Sequence, residues 1–385
     1  MAEPGVGQPT LPTIAREWGR IGCIGFGGPP AHIALLRRLC VQDRGWIDAA
    51  EFEDGIAATN LLPGPASTQL AIFCAWRLRG ARGAVIGGLS FIVPGLVVIL
   101  ALAALFLAGH PPLAIRGAAA GAGAAVAAVA AQAASALVPT SWRRAHRPRQ
   151  HLRWVAYALA GALAAIAIGP FVVAVLVAAG FVEVAFRHAP RLDVRRAIPF
   201  AVGSHVATGG LAALAWTAIK VGALSYGGGF VIIPLMRSDA VDHYHWMTNA
   251  QFLNAVALGQ VTPGPVVQTV AVVGYAAGGI GGGLLAAAIA FGPSFLFVMA
   301  GGPRFDRLRT NLRVQAFLDG AGPAAIGAIA GSAVVLAAEL SHAWQIAILV
   351  AAAIWLLILR RGVVLALVAA GVVGAVGAVA GLPVS

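Results

Sequence analysis

Residues Arg20 to Pro30 read R-I-G-C-I-G-F-G-G-P-P. The stretch lies where an apolar segment should enter a membrane, yet its glycines and prolines break a helix and its arginine adds charge. Two hundred residues later, Lys220 to Gly229 read K-V-G-A-L-S-Y-G-G-G, with the basic residue, the aromatic and the glycine pair in the same register. At that offset Gly22 also matches Gly222, Arg37 matches Arg237, Trp46 matches Trp246, Phe52 matches Phe252, and Pro63-Gly64-Pro65 matches Pro263-Gly264-Pro265. An ungapped register from Gly22 to Phe91 marks an internal duplication. The halves divide at the basic loop Arg187 to Arg196, giving repeats at 1–196 and 197–385.

The 385 residues are 59% hydrophobic and 10% charged, with mean hydropathy +0.86. Soluble domains carry about 25% charged residues, so the composition predicts an all-α polytopic membrane protein. The apolar-polar alternation of membrane strands is absent. A net charge of +12 comes largely from arginines in short loops, which fits cytoplasmic anchoring better than nucleic-acid binding. Glu3, Arg16 and Glu17 interrupt the start of the chain, which does not read as a cleavable signal peptide. Cys23, Cys40 and Cys74 lack metal or disulfide spacing and read as packing residues, and His32 and His205 read as packing or hydrogen-bonding residues.

Hydropathy divides each half into one broken segment, 11–39 or 200–236, and five apolar runs. In the first half these are 55–76, 83–108, 114–138, 154–168 and 170–186. In the second they are 250–276, 280–300, 316–339, 343–359 and 362–381. If each broken segment is a re-entrant helical hairpin, five crossings follow and the halves are inverted. The loops at Arg77 to Arg82, Arg143 to Arg153, Arg187 to Arg196, Arg304 to Arg313 and Arg360-Arg361, with Arg237, then lie on the cytoplasmic side. Arg37, Arg38 and Arg44 are left in an outer loop.

Irregular backbone at membrane depth is tolerated where protein buries it or it lines a polar cavity. The glycine pairs Gly27-Gly28 and Gly227-Gly228, flanked by Phe26 and Tyr226, expose backbone N–H groups. Each P-G-P triplet allows a half-helix to start behind it, with its positive end at the break. The expected substrate-binding set is Arg20, Lys220, Phe26, Gly27, Gly28, Tyr226, Gly227, Gly228, Pro63, Gly64, Pro65, Ser67, Thr68, Gln69, Gln260, Thr262, Pro263, Gly264, Pro265 and Gln268. Arg37 and Arg237 are candidate gating or anchoring residues. Glu53, Asp54, Glu183, Asp319 and Glu339 are acids that offer only weak support for a proton relay. No metal, cofactor or catalytic motif is visible, and the alternative for Arg20 and Lys220 is that both snorkel to an interface.

The motifs F-G-G-P-P-A-H-I (26–33), L-L-P-G-P-A-S-T-Q-L-A (61–71), Y-G-G-G-F (226–230) and G-Q-V-T-P-G-P (259–265) resemble the chromate ion transporter family in its two-domain form. The resemblance implies a secondary transporter that exports chromate across the bacterial inner membrane and confers chromate resistance, driven by the membrane potential or a proton gradient. A sulfate or other oxyanion transporter, or a passive anion channel, is the alternative. Expected partners are a chromate-like or sulfate-like oxyanion and the lipid bilayer, with a homodimer left open and no nucleic acid. Two departures stand out: Tyr226 replaces the family's common phenylalanine, and Ala66 follows P-G-P where many members carry an acid.

Overall fold

The computed structural model describes residues 8–59, 62, 64–107, 111–145, 147–167, 172–188, 210–225, 232–301 and 311–383, and the regular structure among them is helical. Helix α1 (Leu11–Ile24) opens on a Thr10 cap and a proline in its first turn. It stops at Gly25, and the chain turns through Gly27 and Gly28 at φ of 98° and 72°, a region open to glycine without strain. Helix α2 (Pro29–Arg37) starts on the proline pair and runs on as a π turn, Arg38–Asp43. It leads back to the side from which α1 came, because Arg44 beyond its end donates to Glu17 of α1 at 3.1 Å. The broken stretch is a helical hairpin.

A second hairpin follows where the run 55–76 was expected to cross. That run divides into α3 (Ala49–Thr59) and the start of α4 (Ala66–Phe106), with Pro63-Gly64-Pro65 between them. The two pieces are antiparallel: Gly55 lies against Phe73, and Glu51 pairs with Arg77. α4 then reverses at Arg79-Gly80, where Gly80 takes φ 59° and ψ −150°, and Ala75 packs on Gly83 and Gly87. In one continuous helix residues 75 and 87 would stand about 18 Å apart. α4 therefore has a short arm, 66–78, and a long arm, 81–106. Helices α5 (Leu113–Trp142), α6 (Pro148–Ala167) and α7 (Val172–His188) complete the half.

The second half repeats this plan. Helix α8 (Gly210–Leu224) is followed by α9 (Ile233–Arg237) with its own π turn, Ser238–His243, and by α10 (Asn249–Val261). After Pro263-Gly264-Pro265 come a 3₁₀ turn, Val266–Gln268, and α11 (Thr269–Gly301), which reverses at Gly278-Gly279 with Gly279 at φ 61° and ψ −154°. Helices α12 (Leu312–Ala338), α13 (Ala343–Ala353, ending in a π turn) and α14 (Val363–Val379) follow. The reversal at Gly279 comes one residue sooner after its triplet than the reversal at Gly80, so the ungapped register shifts there. The 3₁₀ turn explains the shift: it rises about 2.0 Å per residue against about 1.5 Å in an α-helix, so three of its residues span what about four would otherwise span.

Among the described residues, each half thus shows two hairpins and four further helical stretches, where one hairpin and five crossings were expected. Among the described residues four helices are long and apolar enough to cross a bilayer: α4, α5, α11 with its 3₁₀ turn, and α12. The second hairpin also moves Arg37, Arg38 and Arg44. They sit at the mouth of the first hairpin, on the side of the Arg79-Gly80 reversal. There Arg77 pairs with Glu51, and Arg79 reaches the Pro9 carbonyl at 2.6 Å.

The halves interlock through small residues, as close helix approach in lipid requires. Gly22 abuts the Phe91 carbonyl and Gly222 the Ala290 carbonyl, so α1 lies on α4 as α8 lies on α11. The long arms of α4 and α11 meet with Gly88 against Phe295 and Gly283 against Leu100. These pairings advance in opposite directions along the chain, so the arms are antiparallel. α5 packs on α13 and α14 of the other half, with Gly117 and Gly121 against Gly374. α12 packs on α6 and α7, with Gly327 against Ala158 and Gly320 against Ala179.

Candidate functional site

The tip of the first hairpin meets both triplet regions inside the protein. The Gly25 carbonyl, at the end of α1, accepts from the Gly264 N–H of the other half's triplet at 3.0 Å and from His32 Nε2 at 2.8 Å. Gly28 faces Val266, so the first glycine break lies against the second triplet. His32 is fully buried, stands edge-on to Phe91 with centroids 5.0 Å apart, and places Nδ1 3.2 Å from Ser67 Oγ. Across the halves, Gln268 donates Nε2–H to the Ile92 carbonyl at 2.8 Å and lies over Gly95 with Pro263. Gly64, at φ 126°, is covered by Gln69 and by Ser294 of α11.

The half-helices behind the triplets have open ends. The first intrahelical bond of the short arm of α4 is Gln69 N–H to Pro65 at 3.0 Å, which leaves the N–H groups of Ala66, Ser67 and Thr68 without a bond in the helix. In the second half the tighter 3₁₀ turn starts at Gln268 N–H to Pro265, leaving Val266 and Val267.

Buried polar atoms without partners gather on the same elements. Thr68 Oγ1, Ser225 Oγ, Ser294 Oγ, Gln260 Nε2 and Gln268 Oε1 make no hydrogen bond. Thr68, Ser225, Ser294 and Gln268 are wholly inaccessible, and Gln260 is 8% exposed. An unsatisfied buried polar group costs about 1–3 kcal/mol, so a concentration of them marks a place where something polar binds. All but Gln268 Oε1 are donors, and donors suit an anion. By contrast, the Thr262 hydroxyl bonds back to Leu258 of its own helix at 2.8 Å.

The two cations that led the sequence reading are each held by an acid of their own hairpin. Arg20 has a side chain 59% exposed and lies 3.4 Å from Glu17, which Arg44 also grips. Lys220 lies 2.5 Å from Asp239, which also accepts from Thr217 at 2.8 Å, and Lys220 stands over the Trp216 ring. Arg44–Glu17 and Lys220–Asp239 each join the outgoing arm of a hairpin to its returning arm, with the acid on the first arm in one half and on the second in the other, whereas Arg20 lies on the same arm as Glu17. Arg37 pairs with Glu53 and lies over Phe52, while Arg237 binds Asp242 at 3.2 Å and Glu339 at 2.5 Å. Glu183 is gripped by Arg153, Arg187 and Tyr157, and Arg187 also binds Asp319 at 2.8 Å. Phe26 is 42% exposed, and Pro65 and Pro265 cap their half-helices. Tyr226, Gly227, Gly228 and Pro63 lie outside the described residues.

Sequence reasoning left three residues out of the set. His32 stands inside the quoted motif F-G-G-P-P-A-H-I and was assigned to packing or hydrogen bonding. Ser225 matches Gly25 at the repeat offset, and a hydroxyl beside a helix break is its local signal. Ser294 follows Pro293 in α11, and its position over Gly64 is a tertiary fact. Among the described residues no group of three or more His, Cys, Asp or Glu side chains is placed to hold a metal ion.

Comparison with known proteins supplies the context of this geometry. The chromate transporter family matches residues 12–184 and 212–375. The chain is similar to the chromate transport protein of Cupriavidus metallidurans, with 32% identity over 339 residues, 85% of this chain and 83% of that protein. It is 30% identical over 349 residues to a chromate transport protein of Pseudomonas aeruginosa, covering 85% of this chain and 81% of that one. A probable chromate transport protein of Synechococcus elongatus is 28% identical over 348 residues, 86% of each chain. No solved structure matches.

Proposed function

The chain belongs to the chromate ion transporter family in its long-chain form, and from that premise we propose that it is a secondary transporter exporting chromate across a bacterial inner membrane. The buried donors Thr68, Ser294 and Gln260 at the triplets, with Ser225 at the end of α8, carry the reading. With the open N–H groups behind Pro65 and Pro265 they offer a tetrahedral oxyanion neutral hydrogen-bond donors and the positive ends of two half-helices. Helix ends stabilise an anion by about 0.3–1 kcal/mol each, rising to about 2 when partly buried. Chromate and sulfate are both tetrahedral dianions, so such donors accept either, and sulfate is the competing substrate.

The working cycle is alternating access between inverted repeats. The antiparallel long arms of α4 and α11 support the inversion, and the inaccessibility of Thr68, Ser294 and Gln268 suits an occluded stage of the cycle. The two cation–acid pairs hold the hairpins in shape while the oxyanion is held by neutral groups between them.

Everted membrane vesicles energised by respiration test this. Labelled chromate should accumulate inside, and Thr68→Val with Ser294→Ala should lower uptake about tenfold or more, since hydrogen bonds to a charged group are worth about 1.5–3 kcal/mol each. Uptake no greater than in vesicles lacking the protein would overturn the proposal. Accumulation no greater than the membrane potential alone supports would identify a channel, because a channel can only follow the electrochemical potential.

A further inference from the structure

His32 is the one titratable side chain that reaches the triplet tips among the described residues, and its two ring nitrogens face different halves of the site. Nε2 meets the Gly25 carbonyl, which can only accept, so Nε2 carries a hydrogen. In the neutral ring Nδ1 is then an acceptor, and the Ser67 hydroxyl 3.2 Å away donates to it. Ser67 is the second residue of the short arm of α4, beside the open N–H groups and the unmatched Thr68 hydroxyl. While His32 is neutral, the hydroxyl hydrogen of Ser67 is turned towards the ring and away from any anion at the helix end.

We propose that His32 is the proton-coupling positioning residue of the transporter, acting on the oxyanion through Ser67. A proton added at Nδ1 makes both nitrogens donors. Nδ1–H now donates to Ser67 Oγ, and the hydroxyl hydrogen rotates outwards to the oxyanion. One proton taken up thereby adds a donor to the site and places a positive charge one hydroxyl away from a dianion. Protonation and oxyanion binding favour each other, and by linkage each strengthens the other by the same factor.

The surroundings allow the ring to answer to the substrate. Around His32, α1 presents Gly25, the short arm of α4 Ser67, its long arm Phe91, and the opposite triplet Gly264 with Val266 nearby, none of them titratable. Among the charged groups of the same hairpin and of α3, Glu17, Arg20, Arg37, Arg38, Asp43, Arg44, Glu51 and Glu53 are engaged in ion pairs. Because the Gly25 carbonyl also accepts from Gly264, the charge state of His32 bears on the contact between the halves as well as on Ser67.

The inference rests on the oxyanion site proposed above, and calorimetry on the purified full chain separates the two. Chromate is titrated near pH 7.5 in buffers of different ionisation enthalpy, with wild type and His32→Gln side by side. Glutamine can donate to Gly25 but cannot titrate, and chromate's own protonation contributes equally to both proteins. Wild type is expected to take up close to one proton more per chromate than His32→Gln, and to bind about tenfold more tightly at pH 6 than at pH 8 relative to the variant. If wild type binds no chromate, the site reading fails. If both proteins bind with equal proton uptake, His32 is not the coupling residue. Ser67→Ala serves as the second variant: it keeps the imidazole bond to Gly25 and should lower the proton uptake, and unchanged uptake would overturn the hydroxyl relay even if His32→Gln did not fold.

Discussion

Lys220 and Asp239 show how far a single charged residue can be read in isolation. Lys220 is 14% exposed and Asp239 8% in their side chains, so each neutralises the other's burial. Removing one partner of a buried pair costs about 3–5 kcal/mol, whereas replacing both with apolar residues is often close to neutral. Lys220→Met alone should therefore lower thermal stability sharply, and Lys220→Met with Asp239→Leu should recover it. Chromate affinity of the recovered double variant should match wild type; a large loss would return Lys220 to the substrate site. The partner of Arg20 is legible locally, because Glu17 lies one helical turn before it. Asp239 is not, since only the closed hairpin brings it to Lys220. Neutral donors such as Ser294 escape a search for charge for the same reason: their meaning is that nothing answers them.

At the scale of the helix, the breaks were legible because glycine and proline act on the backbone where they stand. The first glycine pair and the triplets mark the hairpin tips among the described residues. The reversals at Gly80 and Gly279 fall in the gaps between apolar runs, whereas the second hairpin of each half was not legible, because the apolar runs 55–76 and 250–276 continue on both sides of their triplets. Both glycines hold φ near 60° with ψ near −150°, a region closed to other residues. No atom lies within 4 Å of a Cβ at either position, so the cost of a side chain there is conformational alone. Gly279→Ala should destabilise the protein by about 1–3 kcal/mol, read as a lower midpoint of thermal unfolding in detergent. Gly281→Ala, an open position without a positive φ, should leave the midpoint near wild type.

For the whole molecule, arginine placement and the repeat tell one story. The first hairpin mouth and the adjoining reversal hold Arg37, Arg38, Arg44, Arg77, Arg79 and Arg82, while their counterparts are Arg237, Ser238, Tyr244, Ala276, Gly278 and Gly281. Five of the six arginines have no basic counterpart, as expected if equivalent positions face opposite sides of the membrane. Cysteines placed at Ala145 and at His342, behind the matching helices α5 and α12, should react with an impermeant maleimide from opposite sides of intact spheroplasts. Labelling from the same side would refute the inversion.

The exchange of partners between the halves also governs the order in which the chain can mature. The face of α5 around Gly117 and Gly121 finds its seat on Gly374 of α14, a helix made long after it. Until then α5 must wait in lipid with that groove uncovered, and α6 and α7 wait likewise for α12. Assembly of the first half is thus deferred until the second half follows it, and a chain interrupted before residue 363 is left with α5 unmatched.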